Sequence, residues 1–286
     1  MPSNRANPYL PIPMRVLHAY YESTSDQSLK TLELGFENPA DLKAFYEKFV
    51  PGQFCTLSVF GKGESAIGIA NAAWEGDFVR FTVQKLGSVT QALHKLQPGD
   101  PIGIRGPLGN GFPLEDWKSK NLVIIGGGCA FSTLYALTKH IQHPSVRDDY
   151  GVITVVYGTR NSGVCMYRAD IANWYNMSGM NVHQAVDIPE KGWDHHVGYV
   201  PDIVKKVAPS PDNAVAIVCG PPIMTKFTLP ALETLGFSPE TIFTSLEKRM
   251  KCGFGKCGRC NIGSKYICKD GPVFSLAELK ALPADI

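Results

Sequence analysis

Short apolar runs separated by Gly, Pro and polar turns dominate roughly the first 113 residues of the chain. This pattern predicts an antiparallel sheet or barrel, because each strand ends at a turn that reverses the chain. One helix is expected over 40–49, since Leu42, Phe45 and Phe49 fall on one helical face. The predicted strands cover residues 14–21, 29–35, 53–59, 78–84 and 101–105.

The pattern changes between about residues 118 and 245, where apolar runs alternate with helix-like segments. Such a βαβ rhythm predicts a parallel sheet with helices on its faces. The predicted strands are 122–125, 152–157, 181–186 and 214–219, and the predicted helices are 132–142, 166–176, 202–207 and 222–235.

The remaining segment is short and rich in Cys, Gly and Lys. We therefore expect a mixed β and α/β chain of three domains. These are an N-terminal antiparallel β-barrel over 1–114, a parallel α/β nucleotide-binding domain over 115–245, and a small C-terminal domain over 246–286.

Composition limits the functional classes. The 286 residues carry a net charge of only +2, which argues against a strong field for nucleic acid. No run approaches the roughly 18 apolar residues of a transmembrane helix, and the first ten residues lack the apolar region of a secretory signal. We therefore expect a cytoplasmic protein, whose eight cysteines are ligands, catalytic groups or core residues rather than disulfides.

Four cysteines near the carboxyl terminus have the spacing of a plant-type [2Fe–2S] site. Three follow a Cys-x4-Cys-x2-Cys pattern, and the fourth comes after seven further residues. The intervening glycines suit a loop that wraps a cluster, because such a loop needs unusual backbone angles and N–H groups close to sulfur. The predicted ligands are Cys252, Cys257, Cys260 and Cys268.

Basic side chains surround this motif, with only Glu247 and Asp270 against them. They could offset the formal charge of about −2 on an oxidised cluster, raise its potential or dock an acidic partner. Zinc is one alternative, although it usually uses paired Cys-x2-Cys hooks and only one such pair occurs here, and unliganded core thiols are another. The basic residues are Lys248, Arg249, Lys251, Lys256, Arg259, Lys265 and Lys269.

The stretches 245–260 and 268–274 resemble those of ferredoxin-reductase-like electron-transfer subunits that end in a [2Fe–2S] domain. That family includes the electron-transfer subunit of dihydroorotate dehydrogenase, the gamma subunit of sulfhydrogenases and the corresponding subunit of anaerobic sulfite reductase. The resemblance covers nearly the whole chain. It implies a barrel that binds FAD, a domain that binds NAD(P), and then the cluster.

Two stretches of the barrel segment, 51–54 and 85–93, resemble the family's flavin-binding parts, and a further stretch, 65–70, aligns with its flavin-contacting strand but departs from it. In that further stretch, Gly68 stands where the family has a hydroxyl near the flavin N5, so backbone groups are expected to hold the ring. In 85–93, a helix start directs N–H groups at a phosphate, although an ordinary helix N-terminus is the alternative. The predicted flavin-binding residues are Gly52, Gln53, Phe54, Ile67, Gly68, Ile69, Gly87, Val89 and Thr90.

Three turns at the ends of predicted parallel strands suit a dinucleotide, which such sheets bind at their carboxyl edge. The first is a glycine turn that opens a helix, with Ala130 and Thr133 in place of the family's glycine and proline. Arg160 could meet a ribose 2′-phosphate, and Asp187 resembles a family residue near the nucleotide, with a plain turn aspartate as the alternative. The predicted NAD(P)-binding residues are Gly126, Gly127, Gly128, Tyr157, Gly158, Arg160, Asp187, Gly220 and Pro221.

The resemblance places the Cys-Gly-Pro turn beside the nicotinamide and the flavin. Cys219 is therefore the candidate catalytic residue at the hydride-transfer face, and a small buried residue at a strand end is the alternative. The leading hypothesis is a subunit that moves electrons between NAD(P)H, FAD and the cluster, to or from a catalytic partner in a hetero-oligomer. The direction and the choice between NAD and NADP remain open.

Two other hypotheses compete with this one. An electron wire or docking subunit would keep the fold but lack nicotinamide binding, which the substitutions at Gly68 and Ala130 leave open. A zinc-containing nucleic-acid module is disfavoured by the low net charge and the βαβ pattern. The partner could be a hydrogenase, a sulfite reductase, a heterodisulfide-reductase-like assembly or a dihydroorotate dehydrogenase.

Overall fold

A computed structural model describes residues 7–283 of the chain. Residues 1–6 and 284–286, at the outer ends of the first and third predicted domains, lie outside the described part. The longest helix among the described residues has 13 residues and rises about 20 Å, against about 30 Å for a bilayer core. The described chain thus contains no helix that could cross a membrane.

The N-terminal domain is an antiparallel sheet, as predicted. Within residues 7–283 it has six strands in the order β4–β3–β6–β1–β2–β5. Beyond the edge strands, the Ala70 N–H donates to the Arg80 carbonyl (2.8 Å), so the sheet curls into a barrel around a fully buried apolar core. The strands are β1 Ile12–Tyr21, β2 Leu29–Phe36, β3 Phe54–Val59, β4 Gly63–Gly68, β5 Val79–Gln84 and β6 Pro101–Leu108.

Two helices accompany the barrel: α1 Pro39–Tyr46 and α2 Ser88–Lys95. α1 begins at Asn38, whose side chain accepts a hydrogen bond from the Ala40 N–H. It ends three residues before the predicted end at 49, where the Lys48 N–H donates to the Phe45 carbonyl and so closes the last turn with a tighter i→i−3 bond. Phe49 still stacks on Phe45, so the predicted apolar face exists without the last helical turn.

The second domain is the predicted parallel sheet. Its strands β7 to β12 pair in the order β10–β9–β8–β7–β11–β12, with helices on both faces. α5 begins two residues later than predicted because Tyr167 adopts a left-handed conformation (φ 53°). The elements are β7 Asn121–Gly127, α3 Phe131–Ile141, α4 Pro144–Arg147, β8 Ile153–Thr159, α5 Arg168–Trp174, β9 Met180–Val186, β10 His196–Val197, α6 Val200–Val207, β11 Ala214–Cys219, α7 Pro222–Thr234 and β12 Ile242–Ser245.

The C-terminal segment is joined to the second sheet. Its last strand pairs antiparallel with β12, with Ser245 opposite Val273, and so adds a seventh strand to that sheet within the described residues. The segment between these two strands contains all four predicted cluster ligands. Its elements are β13 Asn261–Ile262, β14 Lys265–Tyr266, α8 Ile267–Asp270, β15 Val273–Ser275 and α9 Leu276–Lys280.

Ion pairs cross the boundary between the barrel and the nucleotide domain. Glu75 of the barrel pairs with Arg80 (2.9 Å) and with Lys139 of α3 (3.9 Å), and Lys139 also pairs with Asp170 of α5 (3.1 Å). The side chains of Glu75, Arg80 and Lys139 are at most 14% exposed. Because these charges are largely withdrawn from water, they fix the barrel against α3 and α5 more firmly than an exposed pair would.

Candidate functional site

The four C-terminal cysteines lie in two close pairs. The side chains of Cys252 and Cys257 interact with each other, and so do those of Cys260 and Cys268. Within residues 7–283, no three or more His, Cys, Asp or Glu side chains are gathered tightly enough to surround one metal ion. Two sulfurs for each of two irons is the ligand set of a [2Fe–2S] cluster, so the paired arrangement fits that group.

Backbone N–H groups point at these sulfurs. The Lys256 and Cys257 N–H groups donate to the Cys252 sulfur (3.2 and 3.4 Å), and the Gly255 N–H donates to the Cys268 sulfur (3.1 Å). Burial raises the pKa of Cys252, but the backbone N–H groups of Phe254, Cys257 and Lys256, together with the Cys257 thiol, outweigh it and lower that pKa to about 6. The loop is therefore built to stabilise negative charge on sulfur.

Glycine permits the turns that aim these donors. Gly253, Gly255 and Gly258 have φ of 84°, 76° and 70°, which side chains rarely adopt. A Cβ on Gly253 would lie 2.7 Å from the Leu108 side chain of β6, so the loop also packs tightly on the barrel. The glycine-rich spacing read from the sequence thus has a direct structural reason.

The cluster loop is apolar inside and basic outside. Cys252, Cys260 and Cys268 are buried in one apolar cluster with Phe54 of β3, whereas Cys257 is exposed. Over Cys257 lies a cavity of about 370 Å³, also lined by Tyr9, Glu64, Arg105, Cys252, Lys251 and Lys256. Residues 247–270 carry seven basic against two acidic side chains, a net +5, so the other 262 residues together carry −3.

The structure brings the predicted flavin residues together along two paired strands. Phe54 lies opposite Gly68, and Ile67 lies opposite Cys55. The Phe54 side chain faces the cluster cysteines, and the Ile69 side chain is buried in the barrel core. These two residues can therefore meet a flavin only through their backbone.

Other predicted flavin residues have contacts within the protein. Gln53 bridges two loops, since its side chain accepts from the Val50 N–H and donates to the Gly109 carbonyl. Gly52 has φ of 105°, and a Cβ there would lie 2.9 Å from Phe112. Both residues hold together the loops at the start of β3.

The start of α2 faces open space. The Thr90 hydroxyl accepts from the Leu86 and Gly87 N–H groups, so it closes its own turn. A Cβ on Gly87 would touch nothing within 4 Å, and Leu86 is 76% exposed. Val89 reaches the start of β4, 3.4 Å from the position of a Cβ on Gly63. An open helix N-terminus beside β4 fits a phosphate group.

The predicted nucleotide residues form one row at the carboxyl edge of the second sheet. Gly126 pairs with both Cys219 and Tyr157, and Gly127 pairs with Gly158. Gly128 has φ of 54° and open space where a Cβ would be, so the turn leaves room for a ligand. This placement fits a dinucleotide at the edge where such sheets bind it.

Several of these glycines are also required by packing. A Cβ on Gly127 or Gly220 would lie within 2.4 Å of the Met224 side chain, and a Cβ on Gly158 would lie 2.3 Å from Val200. Pro221 immediately precedes α7. The Tyr157 ring stacks on Phe131 in the core, so Tyr157 presents only its backbone to the edge.

Arg160 and Asp187 lie at the ends of neighbouring strands, β8 and β9. Burial raises the pKa of Asp187, and the nearby Arg160 opposes that shift. Arg160 is exposed. Beyond these strand ends a second cavity of about 320 Å³ is lined by aromatic and polar side chains, among them Tyr175, Gln184 and Trp193.

The glycine turn also meets the barrel. The Cys129 thiol donates to the Thr82 carbonyl of β5 (3.6 Å), and a Cβ on Gly68 would lie only 2.3 Å from the Thr133 hydroxyl of α3. Burial, reinforced by the charge of Glu247, raises the pKa of Cys219 to about 12. Cys219 is therefore a neutral thiol at neutral pH, and it cannot act there as a thiolate nucleophile.

Sequence reasoning missed some residues at these junctions. It noted Thr133 and Glu247 but gave them no contact, and it did not single out Arg105 or Glu64. Their partners are distant along the chain, as with Arg105 and Cys252, which are 147 positions apart. The sequence signal that could have found Arg105 is a charged residue that ends an apolar strand run directly before Gly106 and Pro107.

Comparison with known proteins agrees with this geometry. The model of the oxidoreductase NAD-binding domain matches residues 124–229, and that of the iron–sulfur cluster binding domain of dihydroorotate dehydrogenase B matches residues 247–280. The sulfhydrogenase 1 subunit gamma of Pyrococcus furiosus is 33% identical, over 97% of this chain and 94% of its own length.

Two further relatives extend the comparison. A probable dihydroorotate dehydrogenase B electron transfer subunit of Thermococcus kodakarensis is 31% identical, over 88% of this chain and 97% of its own. A solved structure of an NADH-dependent reduced ferredoxin–NADP oxidoreductase, studied for flavin-based electron bifurcation, superposes with a TM-score of 0.75. It is 24% identical and covers 95% of this chain and 90% of that one, so it bears on the fold alone.

A barrel, an NAD-binding sheet and a cysteine-rich C-terminal domain define a ferredoxin-reductase-like oxidoreductase with an added iron–sulfur domain. The chain belongs to the family of electron-transfer subunits that contains the sulfhydrogenase gamma subunits and the electron transfer subunits of dihydroorotate dehydrogenase B. The predicted fold class and family are thereby confirmed, as is the predicted role in electron transfer.

Proposed function

We propose that this chain passes electrons between NAD(P)H at the carboxyl edge of the second sheet, FAD on the barrel and a [2Fe–2S] cluster. In this proposal Cys252, Cys257, Cys260 and Cys268 are the cluster ligands. A catalytic partner subunit takes up the electrons from the cluster or supplies them to it. The sulfhydrogenase and dihydroorotate dehydrogenase relatives are both named as subunits, which supports a hetero-oligomer.

One cross-strand pair carries this proposal. Phe54 and Gly68 lie opposite each other on β3 and β4. The Phe54 side chain packs among Cys252, Cys260 and Cys268, while Gly68 approaches Thr133, on the helix that follows the glycine turn. A flavin along these strands would therefore lie between the nucleotide edge and the cluster.

The chain's own residues prepare the two sites at either end of this path. The backbone N–H groups of the cluster loop stabilise thiolate sulfur, and the neutral Cys219 thiol closes the nucleotide edge without adding charge. The bound flavin would supply the exchange between two-electron and one-electron transfer. The protein sets the distances and the electrostatics around it.

Replacing one ligand tests the cluster assignment. Cys257 is exposed, so Cys257→Ala removes a ligand and leaves the core intact. We expect anaerobically purified Cys257→Ala protein to lose most of its iron, acid-labile sulfide and cluster absorbance while it retains bound flavin. Cys165→Ala is the control, because Cys165 is a buried thiol bonded to Thr159 outside the cluster loop. Equal iron content in wild type and Cys257→Ala would refute the assignment.

Nicotinamide binding separates the proposal from the electron-wire alternative. Packing alone explains the glycines at 127, 158 and 220, so these positions do not require a dinucleotide. We expect NADH or NADPH to reduce a viologen dye through the purified protein. Flavin and cluster without any such reduction would favour the wire, and the ratio of rates with NADH and NADPH identifies the physiological nucleotide.

The partner is proposed to bind at the exposed Cys257 and its basic surroundings. Lys251, Lys256, Arg259, Lys265 and Lys269 are all exposed there, so an acidic partner surface would complement them. A hydrogenase-type or dihydroorotate dehydrogenase-type partner follows from the relatives, and sulfite reductase or heterodisulfide-reductase-like partners remain candidates. All eight cysteines are free thiols, which accords with a reducing cytoplasm.

A further inference from the structure

Arg105 is a buried cation that joins the barrel to the cluster loop. It lies on β6 and is only 5% exposed. Its Nε and Nη2 form a two-point ion pair with Glu64 of β4 (3.0 and 2.6 Å). Its Nη1 donates to the carbonyl oxygen of Cys252 (2.6 Å), which is the first cluster ligand in the chain.

The remaining contacts of Arg105 also reach the segments around the cluster. Nη2 donates to the Lys251 carbonyl (3.4 Å) and Nη1 to the Pro8 carbonyl (3.3 Å), and the guanidinium lies 6.0 Å from the Phe254 ring centre. A guanidinium presents several donors in one fixed plane, so a single side chain can hold a carboxylate and a loop carbonyl at once. Lysine has no such fork.

The bond to Cys252 acts at the turn that shapes the loop. The Cys252 carbonyl precedes Gly253, whose φ is 84° and whose position beside Leu108 leaves no room for a Cβ. Fixing that carbonyl orients the turn that leads to the Lys256 and Cys257 N–H groups, which donate to the Cys252 sulfur. Arg105 therefore controls how the loop presents donors to a ligand sulfur.

Charge gives Arg105 a second effect. The exposed lysines around the cluster are screened by water and salt, whereas a buried guanidinium one peptide away from a ligand is screened much less. Reduction adds one negative charge to a cluster that is already negative. A buried cation at this position favours the reduced form, and its partner Glu64, with the opposite charge, weakens that preference.

We propose that Arg105 is a positioning residue that keeps the first ligand turn of the cluster in place. Its charge raises the reduction potential of the cluster, and the opposite charge of Glu64 lowers it. This inference rests on the cluster assignment proposed above. It goes further because it places control of the cluster in the flavin-binding barrel, outside the C-terminal domain.

The test is a redox titration of full-length variants, in which the EPR signal measures how much of the cluster is reduced. Arg105→Gln removes the cation, so we expect the ratio of reduced to oxidised cluster at a fixed poise to fall about tenfold, which is about 59 mV for one electron. Glu64→Gln removes the opposing charge and is expected to raise the same ratio. A purely structural role would not give shifts of opposite sign.

Arg105→Lys separates geometry from charge. Lysine at this position cannot hold Glu64 and the Cys252 carbonyl together. It keeps the positive charge, so we expect the ratio of reduced to oxidised cluster to stay within about twofold of wild type. Iron loss to a chelator should nevertheless be several-fold faster. The matched control is Arg80→Gln, another largely buried barrel arginine, whose ion pairs go to Glu33 and Glu75. It should lower stability without changing the cluster potential.

The outcomes distinguish the inference from the proposed function. A colourless, iron-free wild type would refute the cluster assignment itself. A wild type with a cluster whose potential is unchanged in Arg105→Gln and Glu64→Gln, or shifts in the same direction in both, would refute only the role of Arg105. If Arg105→Gln does not fold, Glu64→Gln and Arg105→Lys still decide the question.

Discussion

Gly68 of the barrel lies against Thr133 of the nucleotide domain, and this close approach leaves no room for a side chain at position 68. The family hydroxyl that is missing from this position would need a Cβ, and that atom would lie 2.3 Å from the Thr133 hydroxyl. Thr133 stands where the family usually has proline. The two positions at which this sequence departs from the family therefore contact each other in the structure. Both residues lie between the barrel and the glycine turn.

This contact predicts a specific rescue. Gly68→Ser forces the Thr133 side chain to move and is expected to lower the free energy of unfolding by about 1–3 kcal/mol. Thr133→Ala removes the obstructing hydroxyl, so the double variant should recover most of that loss in denaturant unfolding. Gly87→Ser is the control, since a side chain there meets open space at an ordinary φ of −129°. Additive losses in the double variant would contradict the contact.

Residue patterns predicted the local chemistry of the site but not its long-range contacts. The cysteine spacing predicted the cluster loop because its donors and turns all lie within 17 consecutive residues, 252–268. The contacts of Gly68 with Thr133 and of Arg105 with Cys252 depend on how whole domains pack, and no local pattern records that. Tyr157 and Ile69 show the same limit, since their side chains turned out to be core.

At the scale of elements, α2 is held to the barrel by a buried histidine. The His94 ring donates through Nε2 to the Val83 carbonyl of β5 (2.8 Å), and its Nδ1 has no hydrogen-bond partner among residues 7–283. Lys30 donates to the carbonyls of His94 and Leu96 at the same, C-terminal end of the helix. Burial, together with the nearby charges of Lys30 and Lys85, lowers the pKa of His94.

The lowered pKa of His94 predicts a loss of stability in acid. Below about pH 6.5 the unfolded chain binds a proton that the buried ring resists, so stability falls as the pH drops towards the folded-state pKa. We expect the free energy of unfolding to decrease from pH 7 to pH 5 in urea titrations. His94→Gln should show a shallower decrease, and the same slope in both proteins would argue against this origin.

Periodicity predicted the elements better than their pairing. The four strands and four helices predicted for the second domain are present, and their ends moved by only a few residues. The short elements α4, β10 and β12 were not predicted, because each has at most four residues. β15 has three residues and pairs with β12 across the whole cluster loop. So short a strand is stabilised by the sheet it joins and leaves little trace in the local sequence.

At the scale of the whole molecule, a few charged side chains fix the angle between the barrel and the nucleotide domain. Lys139→Met would keep much of the packing against Tyr135 and Trp74. It would leave Asp170 with the Tyr135 hydroxyl but no cation among residues 7–283, and Glu75 with Arg80 alone as its cation. We expect a loss of about 1–3 kcal/mol and faster hydrogen exchange in α3. Lys43→Met, which affects an exposed pair with Glu47, is the control and should change stability little.

The uneven distribution of charge predicts how the cluster end meets anions. Lys256→Glu should slow oxidation of the reduced cluster by ferricyanide at low salt, because the basic surroundings of Cys257 attract that anion. The difference from wild type should shrink as ionic strength rises. Lys48→Glu makes the same charge change after α1 and should leave the rate unaltered. Stopped-flow absorbance measures both, and equal effects would show that total charge alone matters.

The pairing of β15 with β12 has a consequence for how electrons leave the protein. The segment that carries the four cysteines departs from one strand and returns to its immediate neighbour, and Asn110 of the barrel bonds to the Val273 backbone where it returns. A segment anchored at both ends in this way cannot move as a flexible arm between an electron donor and an electron acceptor. A cluster held by this segment would therefore keep a fixed distance from the barrel, and a partner would have to dock against it to exchange electrons.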